Sequence, residues 1–314
     1  MKEFVINKND SGQRIDKFIT KAVPKLPKSL LYKYVRLKRI KLNGKRCEIS
    51  QMLGEGDVMQ LYINDEFFDT PEKKETEVKG DGSKLEVVFE DENIIIVYKP
   101  RGVDVHHGAE RGDDTLVDMV QAYLFAKGEY DPDEENTFSP AVCNRLDRNT
   151  SGLVIAAKNA AALREINEKI RSRQIKKEYL CILVGKLPKK HSIEEAYHRK
   201  GGHNSVEIFP KPQKDTKKII TEYTVMKEKD GLTLARIGLV TGRTHQIRAH
   251  MSFLGAPVLG DGKYGRVKNN KQYKVFRQQL CAYKLTFDFE GDSVLSYLNG
   301  KSFTAPRTDF VIEI

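Results

Sequence analysis

Residues 65–83 form a charged segment without hydrophobic periodicity. The spacing of the apolar residues differs before and after this segment. Before this segment, the apolar residues of QRIDKFITKAV recur at the spacing of one helical face: Ile15, Phe18, Ile19 and Ala22. After it, short β-rich runs such as IIIVYK and GLVIAAK mix with amphipathic helices. The segment itself is rich in charge and contains Gly and Pro, as linkers do. We therefore predict two folded units, residues 1–64 and 84–314, joined by a linker at 65–83.

The order of elements in the second unit predicts an α+β fold with a largely antiparallel mixed sheet. Two hairpins are expected, in LEVVFEDENIIIVYKP around a polar turn and in IITEYTVMKEKDGLTLARIGLV around Asp230-Gly231. Helices are expected in DTLVDMVQAYLFAKG, in NAAALREINEKIRSR with Asn159 as its cap, and in HQIRAHMSFLG, which ends at Gly255. Because strands and helices mix without a regular alternation, a doubly wound parallel sheet is not expected.

The first unit is predicted to be a small α/β domain. Pro24 and Pro27 end its first helix, and Ser29 is expected to cap the second, LLYKYVRLK. Asn43-Gly44, between two short apolar runs, predicts a type I′ hairpin turn, and GDVMQLYI predicts a closing strand. The unit should thus contain two helices followed by a small sheet.

Positive charge is concentrated in this first unit. The chain has 54 basic and 44 acidic residues and a net charge of +10, yet the segment from Lys25 to Arg46 holds nine basic residues and no acidic one. Such segregation favours phosphate binding, with an ordinary lysine-rich surface as the alternative. The candidates for this contact lie on the second helix and the hairpin: Lys33, Arg36, Lys38, Arg39 and Lys45.

Several classes of protein are disfavoured by features that the sequence lacks. Its apolar stretches are too short to span a bilayer, and the start MKEFVINKND has no long apolar signal segment. The four cysteines are scattered without a C-x-x-C pair, which suits a reducing compartment. The sequence also has no P-loop, G-x-S-x-G elbow or H-E-x-x-H helix. We expect a cytoplasmic protein without a membrane segment or a metal site.

Two polar segments could carry chemistry. CNRLDRNTSGL holds Asp147 between Arg145 and Arg148, before a Thr-Ser-Gly turn whose small residues let a backbone or a ligand approach closely. At the mouth of a helix, where backbone amides favour anions, TGRTHQIRAH gathers Arg243, His245, Arg248 and His250. A surface ion pair and a basic helix cap are the plain alternatives.

These segments resemble the two long signatures of the RluA/RluC/RluD-type pseudouridine synthases. NRLDRNTSG is similar to H-R-L-D-x-x-T-S-G, and TGRTHQIRAHMSFLGAPVLGDGKYG is similar to the second signature. KKEYLCILVG resembles the tyrosine-bearing segment of the family, and VYKPRGVDVHHG resembles its Lys-Pro-x-Gly segment. The first unit, through LPKSLLYKYVRLKRIKLNGKR, resembles a ribosomal-protein-S-four-like RNA-binding domain. The resemblance covers nearly the whole chain, with one departure: Asn144 stands where the family usually has histidine.

The resemblance implies a pseudouridine synthase fold and an isomerase that converts uridine in RNA to pseudouridine, without a metal or organic cofactor. The glycosidic carbon–nitrogen bond breaks, the uracil turns over within the site, and a carbon–carbon bond forms. The added N-terminal module is typical of ribosomal members of the family, so we expect a monomeric enzyme that acts on large-subunit ribosomal RNA. The alternatives are a transfer-RNA pseudouridine synthase and a ribosome-assembly RNA-binding factor whose site is vestigial because of Asn144.

The same resemblance implies the roles of individual residues. Asp147 is the catalytic carboxylate, which attacks the base, attacks the sugar or abstracts a sugar proton, and each option needs it ionised. Arg248 matches the residue that pairs with it, and Tyr179 matches the tyrosine whose ring stacks on the uracil. Arg145 matches the arginine that fills the space left by the flipped nucleotide. Other residues are expected to contact RNA or to shape the site: Arg243 and Gln246, and Lys99, Thr150 and Gly152.

If the first unit acts mainly through its charge, removal of residues 1–64 will reduce the salt dependence of RNA binding more than it alters the choice of uridine. Plots of the logarithm of the dissociation constant against that of the salt concentration, for the full and shortened chains, measure the first effect. Pseudouridine mapping of their products measures the second. Loss of site choice at an unchanged salt slope would instead assign the unit to specificity.

Overall fold

The computed structural model describes residues 1–68, 78–107, 114–202 and 204–314. The predicted linker at 65–83 therefore lies partly outside the described residues. Its two ends form short 3₁₀ turns, Asp65–Phe67 and Gly82–Lys84. The limits of the two units stay a prediction.

The first unit is a four-stranded antiparallel sheet that packs against two helices. Its elements are β1 (Lys2–Val5), α1 (Ile15–Ala22), α2 (Lys28–Arg36), β2 (Ile40–Leu42), β3 (Lys45–Arg46) and β4 (Val58–Leu61). The strands lie in the order β1-β4-β2-β3, and every neighbouring pair is antiparallel. The expected α/β type is therefore wrong and the unit is α+β, because all of its neighbouring strands are antiparallel, whereas an α/β unit pairs parallel strands.

The turn signal of the first unit is confirmed, but the helix cap is not where we expected it. Asn43 and Gly44 both have positive φ, 52° and 74°, as a type I′ turn requires. Ser29 does not cap α2: Pro27 occupies the N-cap position without a side-chain hydrogen bond, and the helix begins at Lys28. The ring of Pro27 sets φ to −60°, which leads the chain into the helix one residue early.

The predicted apolar face of α1 forms the core of the first unit. Ile15, Phe18 and Ile19 are completely buried against α2 and the sheet. Strand β1 was not predicted, because the sequence KEFV leaves three of its four residues exposed and shows no alternation of apolar and polar residues.

The second unit is built on one eleven-stranded sheet. Its strands are β5 (Glu86–Glu90), β6 (Ile94–Lys99), β7 (Ala141–Val142), β8 (Ser151–Ala157), β9 (Ile175–Val184), β10 (His191–Lys200), β11 (Val206–Phe209), β12 (Lys217–Lys229), β13 (Leu232–Leu239), β14 (Leu280–Phe287) and β15 (Ser302–Thr304). They lie in the order β11-β10-β12-β13-β9-β14-β8-β6-β5, with β7 paired to β8 and β15 to β14. Among the described strands only β8 and β14 are parallel neighbours. The predicted largely antiparallel mixed sheet is confirmed, and so are both hairpins.

Helices cover both faces of this sheet. They are α3 (Leu116–Ala126), α4 (Ala160–Arg171) and α5 (Gln246–Phe253), followed by the short α6 (Val267–Gln272). Alternate residues of β8 point to opposite faces, so Val154 packs in the core with α3 and α5, whereas Ile155 packs with α4. Asn159 caps α4 as predicted, accepting a hydrogen bond from the N–H of Ala162 at 2.8 Å. None of the described helices combines the length and the apolar character needed to cross a membrane.

The two units contact each other through the loop between β1 and α1. Asp10 of this loop is completely buried and accepts hydrogen bonds from Asn136 at 2.7 Å and Thr137 at 2.6 Å. Asn9 accepts a hydrogen bond from the N–H of Ala160, at the start of α4, at 3.0 Å. Specific polar contacts therefore attach the first unit to the second, in addition to the covalent connection.

Gly152 permits the close approach of the two parallel strands at the centre of the sheet. Its φ is +119°, and a β-carbon at this position would lie 2.2 Å from the carbonyl oxygen of Ala282. Ala282 of β14 is its register partner. The expectation that small residues here let another backbone approach is thus confirmed.

Gly152→Ala is expected to lower the free energy of unfolding by more than about 3 kcal/mol, because overpacking against a backbone and an unfavourable φ act together. The matched control is Gly44→Ala, where φ is also positive but no atom lies within 4 Å of the added carbon. It should cost only about 1 kcal/mol. Denaturant unfolding measures both, and equal losses would contradict the close-approach argument.

Candidate active site

The loop that carries Asp147, residues 143–150, connects β7 to β8 and is fixed to the strand that follows it. Asn144 accepts a hydrogen bond from the N–H of Ile155 at 2.8 Å and donates one to the carbonyl of Leu153 at 3.3 Å. The N–H of Thr150 donates to the carbonyl of Asp147 at 2.9 Å. We call this segment the Asp147 loop. The asparagine in place of histidine ties it to β8.

Asp147, Arg248 and Asp261 form one continuous ion-pair cluster. Arg248, in the first turn of α5, donates from Nη1 to Oδ2 of Asp147 at 2.7 Å. The same guanidinium donates to both oxygens of Asp261, from Nε at 2.6 Å and from Nη2 at 3.0 Å. The side chain of Asp261 has no exposed surface, that of Arg248 is 10% exposed and that of Asp147 is 28% exposed. Asp147 is thus the end of the cluster that a ligand can reach.

Asp261 and Arg248, the buried part of this cluster, both stay ionised because each lies next to an opposite charge. Burial by itself would raise the pKa of Asp261, but Arg248 and two backbone N–H groups hold it below its usual value. Burial also opposes the charge of Arg248, yet the two carboxylates raise its pKa further above its usual range. Because Asp261 grips one edge of the planar guanidinium, the remaining Nη1 donor is held in place toward Asp147.

His245 borders the same cluster in an unusual backbone conformation. It caps α5 with φ of +53°, a left-handed value that is uncommon for a residue with a β-carbon. The hydroxyl of Tyr264 accepts the N–H of Val206 at 2.9 Å, so its own hydrogen is available to Nδ1 of His245, 2.8 Å away. Burial lowers the pKa of His245, and its Nε2 lies 3.9 Å from Oδ2 of Asp147.

Tyr179 lies on β9, opposite Ile237 of β13 and Ala282 of β14. Its side chain is buried in the core that also holds Ile247 of α5. Burial raises its pKa well above the usual value, and the nearby negative charge of Asp147 raises it further. Tyr179 therefore keeps its phenolic proton at neutral pH, within the electrostatic reach of Asp147.

Lys99 and Arg148 hold the Asp147 loop against the segment that follows β6. Lys99 is completely buried, and burial lowers its pKa to about 8. Its ammonium group donates to three carbonyls, of Pro100, Val103 and Arg148, at 2.9–3.0 Å. Nε of Arg148 donates to the carbonyl of Gly102 at 2.8 Å. With all three donors used inside the protein, Lys99 shapes the loop and does not point at a ligand.

The structure brings together the residues predicted to carry the chemistry and exposes most of those predicted to contact RNA. Arg145 of the Asp147 loop and Arg243, three residues before α5, are both exposed. The same holds for the predicted basic residues of the first unit: Lys33, Arg36, Lys38, Arg39 and Lys45. These side chains are accessible to a polyanion, and the contact itself stays a prediction.

Two residues that were expected near the surface are instead buried. Gln246 was predicted to contact RNA, but it is 2% exposed and its amide is occupied internally. Its oxygen accepts from Thr241 and Arg243, and its nitrogen donates to Ile220 and Thr221. His250 lies in the last turn of α5 without exposed surface, not at the helix mouth. Both errors have one cause: all residues of α5 from Gln246 to Met251 are enclosed, which its mixed polar sequence does not indicate.

Sequence reasoning missed Asp261 and Tyr264. Both lie in GDGKYG, the last part of the segment that resembles the second family signature, and neither was among the predicted site residues. Both could have been identified as candidate site residues, because they are an acid and a phenol within a family signature. Asp261 is also anchored by the N–H groups of Lys263 and Tyr264, at 2.8 and 3.0 Å. Within the described ranges, no three His, Cys, Asp or Glu side chains are grouped so that they could hold a metal ion.

Asp261→Asn is expected to lower the free energy of unfolding at neutral pH by about 3 kcal/mol or more, because it breaks a buried ion pair. The folded-state pKa of Asp261 lies below its unfolded value. Its charge therefore stabilises the fold above the unfolded pKa of about 3.9, and this stabilisation is lost as the pH falls through the folded-state pKa.

The difference in stability between the wild type and Asp261→Asn should thus stay constant from neutral pH to about pH 5 and narrow only below about pH 4. Denaturant unfolding across this range measures it. Asp288→Asn, which removes an exposed ion pair with Lys176, is the control and should change stability by less than about 1 kcal/mol. A difference that closes well above pH 4 would contradict the assignment.

The comparison with known proteins agrees with this geometry. Residues 93–253 match the family described as RNA pseudouridylate synthase. An uncharacterized RNA pseudouridine synthase of Mycoplasma genitalium is 32% identical, over 91% of this chain and 88% of its own. The ribosomal large subunit pseudouridine synthase C of Haemophilus influenzae is 30% identical, over 92% of this chain and 87% of its own.

The fold is likewise similar to that of a solved relative. The structure of human RNA pseudouridylate synthase domain containing 4 superposes with a TM-score of 0.55 at 21% identity, covering 71% of this chain and 89% of that one. This likeness supports a pseudouridine synthase fold. The chain therefore belongs to the RNA pseudouridylate synthase family, in its RluA/RluC/RluD type, and is an isomerase that converts uridine in RNA to pseudouridine.

Proposed function

We propose that this enzyme modifies uridines of large-subunit ribosomal RNA, with Asp147 as its catalytic carboxylate. The observation that carries the assignment of Asp147 is the 2.7 Å contact between its Oδ2 and Nη1 of Arg248, at the accessible end of a buried cluster. The choice of RNA is supported by the printed name of the Haemophilus influenzae relative and by the exposed basic residues of the first unit.

Arg248 prepares Asp147 for a reaction that needs an ionised carboxylate. Attack on the base, attack on the sugar and removal of a sugar proton all begin from the anion. A guanidinium at hydrogen-bond distance supports the anion and fixes the direction in which its free oxygen points. Asp261 contributes by holding Arg248, because a guanidinium gripped on one edge cannot swing away when the substrate enters.

Tyr179 supplies an apolar ring and a protonated hydroxyl beside Asp147. A flat aromatic side chain can stack on the uracil while the base turns over between bond breaking and bond formation. Since burial keeps the hydroxyl protonated, it enters the reaction as a hydrogen-bond donor. The surrounding core residues limit the water that could hydrolyse a sugar with a broken glycosidic bond.

The target uridine must leave its stack to reach Asp147, at a cost of a few kcal/mol. Arg145 is two residues before Asp147 and exposed, so it is suited to fill the space that the nucleotide vacates. A cation in this position also offsets the phosphate charge that crowds a distorted RNA backbone.

Asp147→Asn should abolish pseudouridine formation while RNA binding stays within about threefold of the wild type, because the amide keeps the shape but not the charge. Cells that lack the gene are supplied with the wild type, Asp147→Asn or Asp288→Asn, and pseudouridines are mapped in their ribosomal and transfer RNA. The exposed Asp288 is the matched control and should restore every site.

Two outcomes would contradict the proposal. Restoration of pseudouridine by Asp147→Asn would show that the carboxylate of Asp147 is not required for the reaction. If the pseudouridines that depend on the gene occur only in transfer RNA, the ribosomal substrate is refuted, but the catalytic role proposed for Asp147 is not.

A further inference from the structure

A second concentration of positive charge follows Asp261, far from the first unit in sequence. From Gly262 to Phe287 there is no acidic residue. The first part of this stretch, residues 262–277, is named the basic strip, and it contains Lys263, Arg266, Lys268, Lys271, Lys274 and Arg277. As in the segment from Lys25 to Arg46, positive charge here is segregated from negative charge.

The cations of the basic strip are exposed. Some exposed lysines of the protein pair with carboxylates, as in Lys176 with Asp288, Lys190 with Glu228 and Lys218 with Glu195. Among the described residues, no ion pair engages the following five exposed side chains: Arg266, Lys268, Lys271, Lys274 and Arg277. An uncompensated row of cations attracts a polyanion over its whole length.

Both ends of the basic strip are fixed to the candidate active site. At its start, the N–H groups of Lys263 and Tyr264 donate to the carboxylate of Asp261, the residue that holds Arg248, at 2.8 and 3.0 Å. In its middle, Asn270 accepts the N–H of Gly260 at 2.9 Å and donates to the carbonyl of Asp261 at 3.2 Å. Just after its end, Gln278 donates to Thr150 of the Asp147 loop at 2.6 Å. Between them Val275 is buried. The strip is therefore a fixed edge of the candidate active site. It connects Asp261, which holds Arg248, to the Asp147 loop.

An aromatic ring stands at the end of this row of charges. Phe276 is 70% exposed, although its neighbour Val275 is 3% exposed. Exposed aromatic rings next to cations are the usual combination in proteins that hold unpaired nucleotides, where bases stack on the ring and phosphates meet the cations. A protein partner would call for a continuous apolar patch, whereas the two exposed apolar side chains of the strip, Val267 and Phe276, are separated in sequence by mostly basic and amide residues.

We propose that the basic strip binds the strand of the substrate RNA that flanks the flipped uridine, with its cations on phosphates and Phe276 stacked on an unpaired base. This inference rests on the proposed function, since it takes RNA as the substrate. The strip then supplies affinity next to the site, separately from the first unit.

The charge part of the proposal is tested with Lys268→Gln/Lys271→Gln, which removes two cations of α6. The control is Arg171→Gln/Arg173→Gln, the same change in net charge at the end of α4, a helix that packs in a hydrophobic cluster without any residue of the basic strip. Affinity for an unmodified large-subunit ribosomal RNA transcript is measured at several salt concentrations, with thermal unfolding as a check on folding.

The strip variant should bind about tenfold more weakly near physiological salt, and its salt slope should fall by about 1.4, which is 0.7 for each lost phosphate contact on single-stranded RNA. The control should retain the wild-type slope. Turnover at saturating RNA should be unchanged, so that the loss appears in KM. Equal slopes for the strip variant and the control would overturn the proposal.

The stacking part is tested with Phe276→Ala and Phe276→Tyr. The alanine variant should lose about fivefold or more in affinity without a change in salt slope, and tyrosine should restore it because the ring remains. Wild-type affinity for Phe276→Ala would refute the stacking. A wild-type enzyme that forms no pseudouridine in this transcript would refute the proposed substrate instead, and the salt slopes would still report on the strip.

Discussion

The guanidinium of Arg248 stands between two carboxylates, and the rest of the site is arranged around it. Asp261 takes two of its donors in a fully buried contact, and Asp147 takes a third at the edge of solvent. A buried arginine without a carboxylate partner, or a buried aspartate without a cation, would strongly destabilise the fold. Together the two carboxylates and the guanidinium carry a net charge of −1. Asp261 and Arg248 offset each other in the interior, and the excess negative charge lies on Asp147, at the accessible end.

The sheet makes this cluster possible by bringing distant segments to one end. Asp147 and Arg248 are 101 positions apart, and they meet because the Asp147 loop enters β8 while α5 packs on the face of the sheet that holds Val154. The parallel contact of β8 with β14 depends on Gly152. Lys99, Asn144 and Gln278 then fix the loop with hydrogen bonds to main chain and side chain.

Local rules predicted much of the fold because they act over a few residues. The turns at Asn43-Gly44 and Asp230-Gly231 need positive φ, and the amide of Asn159 meets an unpaired N–H of α4. The same rules failed at Ser29, because Pro27 had already set the helix start. They also failed for Gln246 and His250, because polar side chains on a short helix look exposed unless their buried partners are known.

The sequence by itself indicated many of the helices and strands and singled out Asp147, Tyr179 and Arg248 as candidate chemical groups, since periodicity, turn residues and signature motifs are local in the chain. Only the tertiary structure decided which polar residues are accessible to a ligand and which form hydrogen bonds or ion pairs with one another. It turned Gln246 inward, recruited Asp261 and placed the basic strip at the edge of the site. The physical reason is that hydrogen bonding and charge pairing depend on distances between segments far apart in sequence, which no local pattern records.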